Sequence, residues 1–113
     1  MTHEMKLKAE PFYKIKNRLK TVELRLYDEK RKRIAVGDEI IFTLWGTEES
    51  VRCKVICLDV FKSFEELYST LSLTDCGYTG AELASASPRD MEKYYDLEEI
   101  KKYGAVGIKI KLI

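Results

Sequence analysis

The stretch Lys20-Thr21-Val22-Glu23-Leu24-Arg25-Leu26 sets an ammonium, a carboxylate and a guanidinium within six residues of one another. From Thr21 the residues alternate, polar Thr21, Glu23 and Arg25 against apolar Val22, Leu24 and Leu26. A period of two sends those sets to opposite faces of a strand. Lys20 stands at the entrance to that strand, so the three charges can converge on one spot. Two cationic donors beside one acceptor suit a phosphate, a base carbonyl or an exocyclic amino group. The alternative is the solvated face of a half-covered sheet, on which Glu23 and Arg25 form a weak exposed ion pair. One expectation separates the two. As a site, Lys20, Glu23 and Arg25 share a cleft while Val22, Leu24 and Leu26 are buried behind them.

A nucleobase held there would gain about 1–3 kcal/mol from an aromatic face. The stacking candidates are Trp45, at a strand end before a glycine turn, Tyr78, Tyr94 and Tyr95. Tyr94 and Tyr95 are adjacent and cannot both point inward from a helix, so one of them is exposed. With Thr21 on the charged face, the ligand-binding set is Lys20, Thr21, Glu23, Arg25, Trp45, Tyr78, Tyr94 and Tyr95. The consecutive bases Lys30, Arg31, Lys32 and Arg33 are either a solvated loop or contacts to a nucleic-acid backbone. If the site is catalytic, Glu23 is the general base on a water and Lys20 the stabiliser of developing negative charge.

Neither a metal nor a cofactor is called for. His3 is the only histidine, and Cys53 and Cys57, placed on one face of a strand by their even spacing, are too far apart along it to share one zinc. They read as buried free thiols. Cys76 falls in a loop and is open to exposure.

The 113 residues are enough for one core and too few for two. Twenty Lys and Arg against 19 Asp and Glu leave a formal charge of +1, so any affinity for nucleic acid has to come from charge placed locally. No run of about 18 apolar residues exists, and Met1-Thr2-His3-Glu4 carries no signal-peptide core, so the expectation is a cytoplasmic protein without a membrane segment.

The elements that must position these residues follow in order. Met5 to Ala9 alternates as a first strand, and Phe12, Ile15 and Leu19 at helical spacing predict a helix from Pro11 to Arg18 that delivers the chain to Lys20. Glu39 to Trp45 and Ser50 to Phe61 are strands joined by a hairpin at Gly46. In the second, Val51, Cys53, Val55 and Cys57 share a face, and the run Val55-Ile56-Cys57-Leu58 suggests cover on both. Capping boxes at Ser63-x-x-Glu66, Thr79-x-x-Glu82 and Asp96-x-x-Glu99 open short helices, and Ser87-Pro88 a helical turn. Ser72 to Tyr78 is the irregular stretch where a specificity loop would sit. Val106 to Leu112 alternates again. Long strands first and short helices before the last one predict an α+β fold, a small mostly antiparallel β-barrel with short helices covering its openings.

The spacing Lys20-x-x-Glu23-x-Arg25 resembles the core of the ASCH signature, Gly-x-Lys-x-x-Glu-x-Arg, of the PUA-like superfamily. Arg18 stands where that signature has glycine, which bears on a turn of positive φ just before the lysine. The resemblance spans nearly the whole chain, so residues 1–113 would form a single ASCH domain. It implies a PUA-like barrel and a module that binds RNA or single-stranded nucleic acid, or a nucleoside. It also implies a second possibility, since some members are ribonucleases and a bacterial ASCH-like protein deacetylates N4-acetylcytidine. In that amidohydrolase a lysine works with a threonine nucleophile and a more distant glutamate. Here Glu23 occupies the threonine's position, and Glu92 matches the distant carboxylate only by rough position. A cleft that binds a peptide or partner protein is the remaining class.

Overall fold

Alternating apolar residues in five segments build one sheet, and four helices and two 3-10 turns are laid around it. The computed structural model describes all 113 residues. The strands are β1 (Thr2–Leu7), β2 (Val22–Leu26), β3 (Glu39–Leu44), β4 (Ser50–Phe61) and β5 (Ala105–Leu112). The helices are α1 (Ala9–Lys16), α2 (Phe64–Thr70), α3 (Ala81–Ser85) and α4 (Leu97–Tyr103), and the 3-10 turns are Arg31–Arg33 and Pro88–Lys93. No helix is long and apolar enough to cross a membrane.

The strand order is β1-β3-β4-β5-β2. β1 runs parallel to β3, and the other three pairings are antiparallel. This is an α+β fold built on a mixed, open half-barrel, and it corrects the expectation of a closed, mostly antiparallel barrel. The two edges, β1 and β2, do not pair. The inward side chains of β2 are Glu23 and Arg25, and a charged pair at the seam calls for polar space that a closed ladder would remove.

The concave face holds one core of twelve buried residues, among them Met5, Leu7, Phe12, Ile15, Phe42, Cys53, Val55, Val106 and Ile108. α1 supplies Phe12 and Ile15 to it, so the helix plugs the barrel. It starts two residues before Pro11 and stops at Lys16, which leaves Leu19 exposed rather than on the helix's apolar face. The convex side of β2 and β5 carries a second core, where Val22, Leu24 and Ala105 meet Phe64, Leu67, Tyr68, Cys76 and Met91. Gly107 sits close under this core, where a Cβ would stand 2.6 Å from Leu71 Cδ1 and would oblige that side chain to shift.

Ile56 has no partner in the β4–β5 ladder: Val55 pairs with Ile110 and Cys57 with Lys109. This β-bulge moves the inward set from Cys53 and Val55 to Leu58, which packs on the concave core. Cys57 therefore faces away from Cys53, against the even-spacing expectation, and its thiol lies near Asp59. Nor is the strand's later half covered on both sides, since Ile56 and Val60 are exposed.

Arg18 adopts φ +62°, so the turn that the signature's glycine would make is made by an arginine. A side chain in the left-handed region costs about 1 kcal/mol. Arg18→Gly removes that cost and adds unfolded-chain freedom of similar size or less, so a gain of at most about 1 kcal/mol is expected, read as a rise of a few degrees in Tm. A fall in Tm would mean that the arginine side chain contributes contacts of its own.

Candidate functional site

β2 places its charges by register. Glu23 stands opposite Ile108 and Arg25 opposite Val106, both members of the concave core, so the two charged side chains point into the half-barrel at its open side. Val22, Leu24 and Leu26 are buried on the other side, as in either reading, but the charged face is not solvated. Glu23 is 3% exposed. Its Oε1 lies 2.8 Å from Lys20 Nζ and its Oε2 accepts from Arg25 Nε at 2.9 Å. Burial pushes the Glu23 carboxyl up, but the two cations beside it outweigh burial and hold it below the usual carboxylate range. It is ionised at neutral pH.

Lys20 is held from behind. Gly77, at φ +102°, packs against the lysine stem so closely that a Cβ would stand 3.0 Å from Lys20 Cδ. The carbonyl of Asp75 accepts from the amides of both Thr21 and Val22, which fastens the Ser72 to Tyr78 loop to the start of β2. Cys76, between them, is buried rather than exposed, and burial raises its thiol to about 11. It stays protonated and inert.

Above these charges lies a cleft of about 650 Å³. It is walled by α1, by the Ser72 to Tyr78 loop and by the 3-10 turn at Pro88, and its lining includes Lys20, Glu23, Arg25, Trp45, Tyr78, Tyr94 and Tyr95. Thr21 is not among the lining residues. Trp45 is 65% exposed, with Lys6 Nζ 4.8 Å from the ring centroid, and Tyr94 is 60% exposed. Tyr95 is half-buried, stacked on Phe64, so of the adjacent pair Tyr94 is the exposed one.

Tyr78 is tied down. Its hydroxyl donates to Asp90 Oδ2 at 2.8 Å and meets the Tyr68 hydroxyl at 2.6 Å, while Asp90 also accepts from the Ser87 amide. Burial and these bonds hold the Tyr78 phenol above its ordinary range. Lys14 Nζ reaches Glu10, Glu82 and, at 2.6 Å, the carbonyl of Gly77, and so ties α1 to the loop and to α3.

Several lining residues escape sequence reasoning: Lys6, Lys8, Lys14, Tyr68, Asp90 and Lys93. The only local signal was the Glu10 to Lys14 spacing of an ion pair on α1. Glu92 lies outside the cleft, paired with Arg89. The basic run divides. Lys30 and Arg31 border a second hollow beside the first, and Lys32 and Arg33 border neither.

The family model of the ASCH domain matches residues 5–113. The chain belongs to the ASCH family. Two solved structures are similar to this ASCH domain over its full length. A hypothetical protein, PH0355, shares 35% identity at a TM-score of 0.84, with 100% of each chain covered. Protein PF0455 from Pyrococcus furiosus shares 35% identity at a TM-score of 0.73, covering 100% of this chain and 98% of its own. A comparison with curated proteins found no match.

Proposed function

We propose that this ASCH domain binds RNA or single-stranded nucleic acid and reads one nucleotide in the cleft over Lys20, Glu23 and Arg25. The observation that carries the reading is the buried Glu23 carboxylate, which spends one oxygen on each cation and so fixes where their remaining N–H donors lie. A fixed fork of donors under exposed aromatic rings fits a base carbonyl or ring nitrogen with stacking above it. The volume fits as well, since ligand sites run to roughly 300–1,000 Å³.

The hydrolase reading asks Glu23 to take a proton. A carboxylate whose proton affinity is lowered by two cations is a weak general base at neutral pH. Family membership supports nucleic-acid binding in general, and the charge cluster favours binding over acid–base work.

Titration of the four ribonucleosides and of a labelled RNA tetramer, followed by amide chemical shifts, tests this. The expected result is shifts at Lys20, Arg25, Trp45 and the Ser72 to Tyr78 loop, with tetramer affinity falling as salt rises by a slope of only a few contacts. Turnover of RNA or of N4-acetylcytidine by wild type, abolished in Lys20→Ala, would put the hydrolase first. Shifts by neither ligand would put a peptide or partner protein first.

A further inference from the structure

The second hollow, of about 530 Å³, lies beside the first and is bordered by Lys6, Arg25, Lys30 and Arg31 against a single carboxylate, Glu4. Lys6 and Arg25 border both. Arg25 bridges the seam itself: Nε is held by Glu23, and Nη2 donates to the Lys6 carbonyl on β1 at 3.4 Å. The guanidinium is thus a shared wall, clamped from the cleft side.

Charge in the second hollow is not cancelled. Arg25 and Arg31 have carboxylate partners in Glu23 and Asp28, but Lys6 and Lys30 form no ion pair. Arg31 is oriented by Asp28, to which Nη1 donates at 2.8 Å, while its Nε is buried with no acceptor in the protein. The cationic lining of the hollow therefore rests on Lys6 and Lys30, which have no carboxylate partner, with Arg25 and Arg31 fixed beside them. The hollow has little aromatic or apolar lining, Met5 being its one apolar side chain. Its chemistry is that of a phosphate site without a base site.

We infer that the second hollow holds the phosphodiester next to the nucleotide read in the cleft, so the ligand is a strand that crosses the seam over Arg25 and not a free nucleoside. This rests on the cleft reading above. Phosphate contacts set register and polarity without reading sequence, and here they would make the cleft read one fixed position of a strand. The basic run then acts through Lys30 and Arg31 alone.

The test compares a randomised RNA tetramer with the matching pool of nucleosides, by anisotropy and chemical shifts, for wild type, Lys30→Gln and Lys32→Gln. Lys30 is exposed and forms no ion pair, so its substitution leaves the fold intact. The tetramer is expected to bind at least tenfold more tightly than the nucleosides. Lys30→Gln should flatten the tetramer's log–log salt slope by about 0.7, the share of one contact to a single strand. Lys32→Gln removes the same charge outside the hollow and should shift it by less. Equal affinity for tetramer and nucleosides, or equal slopes for Lys30→Gln and Lys32→Gln, overturns the inference and leaves the cleft reading standing. Binding of neither probe overturns both.

Discussion

Glu23→Gln is expected to lower Tm by roughly 10–15 °C, the equivalent of about 3 kcal/mol at the low end of what breaking a buried ion pair costs. The amide keeps the shape of the side chain but leaves Lys20 and Arg25, each mostly buried, without the charge that offsets their desolvation. The low end applies because both cations border the cleft and can turn toward water.

The loss should depend on pH. The Glu23 carboxyl lies below its ordinary value of 4.5 in the folded protein, so its contribution is complete above about that pH and fades as pH falls through the lower folded value. Wild type should therefore lose stability on acidification where Glu23→Gln loses less, with the two melting curves converging. A constant gap between them down to acid would mean that the carboxylate is not held by its two cations. The triple variant Lys20→Met, Glu23→Leu, Arg25→Met separates stability from function, because replacing a whole buried charge cluster by apolar residues is often neutral or stabilising. It should melt near wild type and bind no RNA. The cluster then serves the ligand at the expense of the fold.

Trp45→Ala should weaken binding of an RNA tetramer by roughly 5- to 150-fold, the range of one lost base–aromatic stack. Its stability should barely change, since the indole is 65% exposed and its one notable contact is with Lys6. That pairing of a large affinity loss with an unchanged Tm marks a ligand contact. Tyr78→Phe cannot be read so cleanly, because the hydroxyl is bonded to Asp90 and Tyr68 and its removal disturbs the wall as well as any ligand. If Trp45→Ala binds as wild type does and Tyr94→Ala does not, the stacking face lies at the Pro88 side of the cleft.

The pairing of Glu23 with Arg25 and Lys20 is legible in residues 20 to 25, because strand alternation is local and sends Glu23 and Arg25 to one face. What depends on distant partners is not. That β1 pairs parallel with β3 and not with β2, at the other edge, cannot be read from the alternation of Met5 and Leu7. The bulge at Ile56 has no glycine to announce it, so even spacing alone puts Cys57 on the wrong face. A loop position leaves the exposure of Cys76 open, and packing closes the question: this loop is buried in the second core under β2. Asp90 comes from the Pro88 turn, and only tertiary packing brings it to the cleft that Lys20 lines. The reverse holds at Arg18, where the turn survives without its glycine because the backbone bonds around it still form.

Ile56 has a consequence for how this sheet can vary by descent. Because that residue is the unpaired one, β4 carries a single residue of slack. Loss of its codon would straighten the strand and leave Val55 inward, Cys57 outward, Leu58 inward and Asp59 outward, as they stand now. β5 has no such slack. A codon lost from the middle of β5 would turn every later side chain to the opposite face, sending lysines into the apolar interior. Length variation among descendants of this chain should therefore be tolerated in β4 at the bulge and purged from β5.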